Sequence, residues 1–289
     1  MTDAGLAAPV PAAPVAEARP RRAWLRNRSL IAGLVIVGAM VALAVFAPLL
    51  TPYDPTHQDL TAVLQPSSSA HPLGTDDLGR DVWAQLLYGA RVDLRTAFLA
   101  VLFPFVIGTT LGALAGYKGG VVDSLVTWAT NVVFAFPFYV LMIALVFVMG
   151  AGARSIYVAI TLVGWVSYAR IVRAEVLREK QQEYVAAARV AGFSTPRILG
   201  RHILPNAITQ AVVFSMSDIV LCILAIVALG YLGLGIQPPT PDWGRMIADG
   251  QQFLTTNWQL ATVPGLAVVI TGVGLGLLAD GLADALRAE

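Results

Sequence analysis

Apolar stretches longer than 18 residues recur along this chain, separated by shorter segments that collect its charges, prolines and glycines. Runs of that length predict membrane-spanning helices. The expected spans are 29–50, 94–117, 124–149, 155–177, 207–236 and 260–282. At a rise of 1.5 Å per residue the first would cover ~33 Å, enough for a hydrocarbon core with slight tilt. Its flank "RPRRAWLRNR" is basic, and Arg21–Arg22 could pass for a twin-arginine signal. The apolar run exceeds a signal-peptide core and no small-x-small cleavage site follows it, so an uncleaved first span is the reading. Residues 1–18 have no periodic pattern, and 1–28 is expected to be a disordered basic tail.

Two segments between spans are long. Residues 51–92 carry "TPYDPTHQDL" and "HPLGTDDLGRDVW", and residues 237–259 carry "QPPTPDWGRMIADG". Their proline and glycine density excludes a further span. Six spans put both termini on one side. With that side inside, fourteen of the nineteen Lys and Arg residues are internal. The positive-inside rule therefore makes both termini cytoplasmic. Residues 51–92 and 237–259 become extracytoplasmic, 93–289 becomes a five-helix core, and 179–206 becomes its main cytoplasmic loop.

Composition agrees: 57% of residues are hydrophobic and 13% charged, and the net charge of +1 gives no reason to expect nucleic acid as a partner. Cys222 is the sole cysteine, so neither a disulfide framework nor a thiolate metal site can form within the chain. Gly108, Gly112 and Gly116 recur every four residues, which lets a neighbouring helix approach closely; Gly272 and Gly276 repeat the spacing.

Catalytic motifs are absent. Lys118 and Lys180 are followed by Gly and Gln, so there is no P-loop; no metalloprotease, C-x-x-C or nucleophile-elbow motif occurs. His57, His71 and His202 are dispersed, and Asp76, Asp77 and Asp81 lack the alternation of a calcium loop, which favours a structural turn. Asp218 is different. It lies mid-span beside Ser215 and Ser217, where a carboxylate either lines a path or pairs with a polar group.

The segment 183–207, "EYVAAARVAGFSTPRILGRHILPNA", reads as two short helices. The first covers about 182–191 and ends at Gly192. The second begins with Thr195 as N-cap and Pro196 at its first position, and is stopped at Pro205. Alanines 186–188 make one narrow surface able to enter a groove on another protein, with Arg189, Arg197 and Arg201 to orient it. A helix lying on the bilayer would carry bulkier apolar residues, so docking is favoured.

"AAARVAGFSTPRILGRHILP" resembles the cytoplasmic-loop motif of ABC importer permeases, with Ala187, Ala188, Gly192, Leu204 and Pro205 at matching positions. Ala186 stands where the motif has Glu, and His202 where it has Ile. From about Trp24 to Leu286, "HPLGTDDLGRDVW", "AGYKGGVVD", "VSYARIVRAEVL", "YLGLGIQPPTPDWGRMI" and "DGLADAL" are similar, in order, to the C-type permeases of dipeptide and oligopeptide importers. The resemblance implies an all-α, six-span, type I importer permease in the bacterial cytoplasmic membrane. It implies a second similar permease, two ABC ATPase domains that bind ATP and Mg, and an extracytoplasmic substrate-binding protein as partners. It also implies that Tyr184, Ala187, Ala188, Arg189, Gly192, His202, Leu204 and Pro205 form the ATPase-coupling loop, with no cofactor or catalysis in this chain. Nickel or glutathione are alternative substrates within the family. A stand-alone secondary transporter is the alternative outside it, and the absence of an internal repeat weighs against that.

Overall fold

The computed structural model describes residues 27–287. The expected tail 1–28, with Arg19, Arg21, Arg22 and Arg26, lies outside the described residues except for its last two positions. The helices in chain order are α1 (Arg28–Val45), α2 (Ala47–Leu50), α3 (Val82–Lys118), α4 (Gly120–Phe134), α5 (Phe138–Met149), α6 (Ala153–Glu179), α7 (Glu183–Val190), α8 (Thr195–Arg197), α9 (Leu204–Tyr231), α10 (Trp243–Gly250) and α11 (Gln259–Arg287). Five helices among the described residues are long and apolar enough to cross a membrane, or six if the bent pair α4–α5 counts as one.

Three boundaries differ from the sequence expectation. Helix α3 begins at Val82 instead of 94, because Asp81 caps it by accepting the Ala84 N–H at 2.6 Å. Its charged first turns, with Arg91, Asp93 and Arg95, continue the helix beyond the apolar run. The expected span 124–149 is two helices bent by 88°. Pro137 has no N–H to donate and pushes Phe136 out of helical backbone, so α4 stops and α5 starts afresh. Helix α9 ends at Tyr231, five residues before 236. Gly233 there adopts φ +76°, and the Leu234 N–H returns to the Leu229 carbonyl at 2.9 Å.

Helices α3 and α6 run parallel and form the centre of the core. Thr96 meets Tyr157, Gly108 meets Trp165 and Tyr168, Gly112 meets Ala169, and Gly116 meets Arg173 and Val176. The first glycine triplet is therefore a helix-contact face, as its spacing indicates. The second is not: a Cβ at Gly276 would meet nothing within 4 Å, and one at Gly272 only Val220. In α11 the close contacts come from Gly274, against Ile36, and Gly281, against Leu30, while Gly33 of α1 faces Leu278. These pairs make α1 and α11 antiparallel, so the start of α1 and the end of α11 share one end of the molecule. Lys180 Nζ donates to the Tyr117 carbonyl at 2.6 Å, so α3 and α6 end together beside the loop 179–206. The starts of α3 and α11 meet through α10, where Trp243 contacts Leu86 and Gly250 packs on Leu260, which puts the ends of α3 and α6 with the end of α11.

At the opposite end the 51–81 segment is held by short polar turns. Asp76 accepts the Leu78 and Arg80 N–H groups, the Arg80 Nε at 2.7 Å and the Gln85 Nε2 at 2.8 Å. Asp81 also contacts His71 Nδ1 at 2.8 Å. With its oxygens given to protein N–H donors, Asp76 serves a turn. Helix α10 is clamped onto α3: the buried Trp243 donates its backbone N–H to Asp93 Oδ2 at 2.9 Å and its indole N–H to the Leu86 carbonyl at 3.1 Å. Asp93 does not stand out in the sequence, and Trp243, which reads there as an interfacial aromatic, is fully buried instead; nothing local pairs residues 150 positions apart.

Asp242 caps α10 by accepting the Arg245 N–H at 3.0 Å, yet its Oδ2 is buried without a partner. Burial pushes its carboxyl up to about 6, against the opposing pull of Arg245 and the α10 amides; Asp93 and Asp249 are the neighbouring carboxylates. A carboxyl whose folded pKa exceeds its unfolded value of 3.8 favours folding when protonated. Its contribution is fully present below about pH 4 and is lost as pH rises through about 6, by about 1–3 kcal/mol. Asp242→Asn keeps the cap without the charge. It is expected to raise the thermal midpoint in detergent at pH 7.5 more than at pH 5; equal shifts at both would refute this account.

Candidate functional site

Helix α7 is a two-turn projection with a defined inner and outer side. Val185 and Ala188 are buried against the body of the protein, while Ala186, Ala187, Arg189 and Val190 are exposed. This corrects the expectation that alanines 186–188 form one surface. At 100° per residue Ala188 falls one turn from Val185 and shares its inward face. The outward apolar face is Ala186, Ala187 and Val190, the last 91% exposed. Val190 lies i+3 from Ala187 and was not singled out in the sequence.

Gly192 ends α7 with φ +76°. Its N–H donates to the Arg189 carbonyl at 3.0 Å and the Phe193 N–H to the Ala188 carbonyl at 3.1 Å, the paired bonds of a Schellman stop. Beyond it, Ser194 and not Thr195 holds the cap position; Thr195 is the first helical residue, with Pro196 second. Pro205 does not stop the helix either. Residues Ile198–Ile203 widen into a π-turn, in which the Leu204 N–H reaches back to the Leu199 carbonyl. The wider turn accommodates a ring with no N–H, and the helix runs unbroken from Thr195 to Tyr231.

A polar hub ties the projection to the long helices. The Tyr184 hydroxyl donates to Glu179 at the end of α6 and approaches the His202 carbonyl at 3.3 Å. Asn206 Nδ2 reaches the Tyr184 hydroxyl at 3.2 Å and Glu179 at 3.4 Å. The His202 ring stacks on Phe193 at 5.8 Å between centroids, with the Arg197 guanidinium 4.3 Å from the same phenyl ring. Thus Tyr184 and His202, 18 residues apart, meet as one cluster, whereas Arg189 points outward on α7. Glu179 and Asn206 are part of the hub and were not anticipated, being flanks of apolar runs.

Asp218 is far from that loop. It lies within α9, where its Oδ2 accepts the Tyr168 hydroxyl of α6 at 2.7 Å. Tyr168 is fully buried and wedged edge-on between Phe105 and Phe214, at 5.5 and 5.2 Å. The same carboxylate lines a cavity of about 290 Å³ beside the α4–α5 break.

Residues 108–288 match the family described as binding-protein-dependent transport system inner membrane component. The chain belongs to that family. Residues 19–66 of this permease also match the N-terminal transmembrane domain of oligopeptide transport permease C. The permease is 39% identical to the dipeptide transport system permease protein DppC of Escherichia coli K12, over 97% of this chain and 95% of that one. It is 37% identical to DppC of Alkalihalophilus pseudofirmus, over 90% and 86% of the two chains. It is also 39% identical to the glutathione transport system permease protein GsiD of Pectobacterium atrosepticum, over 92% and 88%. Among solved structures, the MetNI methionine ABC transporter in inward-facing conformations matches with a TM-score of 0.54 at 20% identity, covering 71% of this permease and 96% of that chain. That likeness establishes the fold.

Proposed function

We propose that this chain is one of two permease subunits of a peptide-class ABC importer in the bacterial cytoplasmic membrane. The observation that carries the reading is α7: an exposed small-residue face, clamped through Tyr184, Glu179 and Asn206, on a chain with no nucleotide-binding motif of its own. Helix α7 with residues 179–206 docks in a cleft of an ATPase subunit, where ATP and Mg are bound and hydrolysed. A second, homologous permease completes the path, and an extracytoplasmic binding protein delivers the substrate. The peptide relatives support the substrate class. Glutathione is the second reading, favoured by the 39% identity to a glutathione permease.

Six crossings with both termini cytoplasmic fit the packing. Because α3 and α6 run parallel, the chain between them must return to the starting end, so α4 and α5 together make one crossing. Helix α1 with α2, over 29–50, is then the first crossing; 51–92 and 237–259 are extracytoplasmic, and 93–289 is the five-crossing core. Fourteen of nineteen cationic side chains fall on the cytoplasmic side of this arrangement. Asp218 lines the path at mid-depth.

The test is uptake of labelled dialanine, a labelled pentapeptide, glutathione and nickel in a strain lacking this chain. Loss of a peptide, restored by the intact protein but not by Gly192→Arg, is the expected result. A Cβ at φ +76° is strained by roughly 1–2 kcal/mol, and the arginine occupies the open space beside α7. Full uptake with Gly192→Arg at normal abundance would overturn the docking role.

A further inference from the structure

The cavity beside the α4–α5 break combines one carboxylate with several aromatic rings. Phe136, Phe138, Tyr139 and Phe214 line it, with Ser167 and Asp218. No lysine, arginine or histidine lines it. Within the described residues Tyr168 is the hydrogen-bond donor to Asp218, and it engages Oδ2 alone. Phe136 and Tyr139 are substantially exposed, on the same cavity as the carboxylate. We propose that this cavity is an ammonium-binding subsite of the translocation path, in which Asp218 and the surrounding rings receive the free α-amino group of a passing peptide.

Three physical points carry the proposal, which rests on the peptide-importer reading above. A carboxylate at this depth does not face lipid; it faces a cavity or a partner. Tyr168, locked between two rings, holds Asp218 in one orientation while leaving the other oxygen available. Aromatic faces attract cations and tolerate varied substituents, so a site of rings and one charge selects an ammonium group without selecting the side chains behind it. One of the cavity's own rings already shows this: the Arg170 guanidinium, outside the lining, sits 4.0 Å from the Phe134 centroid. The carbonyl end of α4 adds favourable partial charge. The amide end of α5 meets the same break and opposes it, but with about half an elementary charge against the full charge of Asp218. At about 290 Å³ the cavity is near the lower end of small-molecule sites, ~300 Å³. It accommodates the amino end of a peptide, not a long peptide whole.

The complete transporter, purified in detergent without its binding protein, is titrated with dialanine and with N-acetyldialanine, which lacks the charge. Wild type is expected to bind dialanine about tenfold more tightly, Asp218→Asn to bind both alike, and Asp218→Glu to recover most of the preference. Equal binding by wild type, no binding of either, or a preference retained in Asp218→Asn overturns the proposal. So does loss of the second permease from purified Asp218→Asn complex, which would assign the carboxylate to a subunit contact. Dialanine uptake in cells is measured in parallel. Absent uptake with a preserved amine preference refutes the peptide-importer reading and leaves the subsite standing; normal wild-type uptake with no amine preference does the reverse.

Discussion

Gly112→Leu is expected to lower the folded protein in the membrane by more than tenfold. A Cβ at Gly112 would lie 2.9 Å from Ala169 Cα and 3.0 Å from its carbonyl carbon. Those are backbone atoms, which cannot turn aside as a side chain can. A Cβ at Gly116 would lie 2.9 Å from the Arg173 carbonyl oxygen, so the two helices touch along several turns. Overpacking an adjustable core costs about 1–3 kcal/mol. Here the strain falls on two rigid backbones, and the upper end of that range or more is expected. Inside a bilayer the loss is not offset by water expulsion, because helices there associate chiefly by close packing. Gly276→Leu is the control: a Cβ there would meet nothing within 4 Å, and abundance should change less than twofold. Immunoblotting of membranes and thermal midpoints in detergent distinguish the two. Equal abundance of both variants would mean that the α3–α6 contact does not hold the core together.

Val190→Glu should abolish transport while leaving that abundance unchanged. Val190 is 91% exposed at the tip of α7, so the folded chain loses almost nothing when it is replaced. Burial of a valine against a partner gains about 1.5 kcal/mol or more, whereas an unpaired carboxylate in the same place costs several kcal/mol. The difference corresponds to a loss of at least tenfold in coupled uptake, with ATPase co-purification reduced alongside. Val190→Ala, which removes only contact area, should fall between. Retention of full uptake by Val190→Glu would move the docking face elsewhere on the loop.

Much of the architecture was readable from runs of apolar residues, since a span announces itself by length alone. Each expected span contains helix, 124–149 as the bent pair α4–α5 and 207–236 only as far as Tyr231, and Gly192 ends α7 as expected. Misplaced boundaries share a physical cause. At 82–93 a polar continuation beyond the apolar run remained helical under an Asp81 cap, and at 205 a π-turn absorbed a proline that should have ended the helix. Proline reads the same in a sequence whether it breaks a helix, as at Pro137, or is accommodated, as at Pro205. The candidate sites show the same divide. Asp218 was visible as a charge in the wrong solvent. Its partner Tyr168 was not, because several tyrosines were available and only the α6–α9 crossing chooses between them. The hub of Glu179, Tyr184 and Asn206, like the Asp93–Trp243 clamp, exists only once distant helices have met.

The unbroken helix from Thr195 to Tyr231 has a mechanical consequence. Its 37 residues make a rod about 55 Å long. One end begins three residues after Gly192, Asp218 lies about two thirds of the way along, and Gly230 at the far end packs on Asp242, the cap of α10, and on Gly244. Held where Tyr168 grips it, about 34 Å from Thr195 and about 20 Å from Tyr231, the rod pivots: a tilt of about 5° carries the Thr195 end roughly 3 Å and the Tyr231 end roughly 2 Å the other way. A displacement imposed at the α7 end would therefore arrive at α10 with its sign reversed and at a little over half its size. In the importer proposed above, movement at the docking end and movement at α10 would be linked through this one helix.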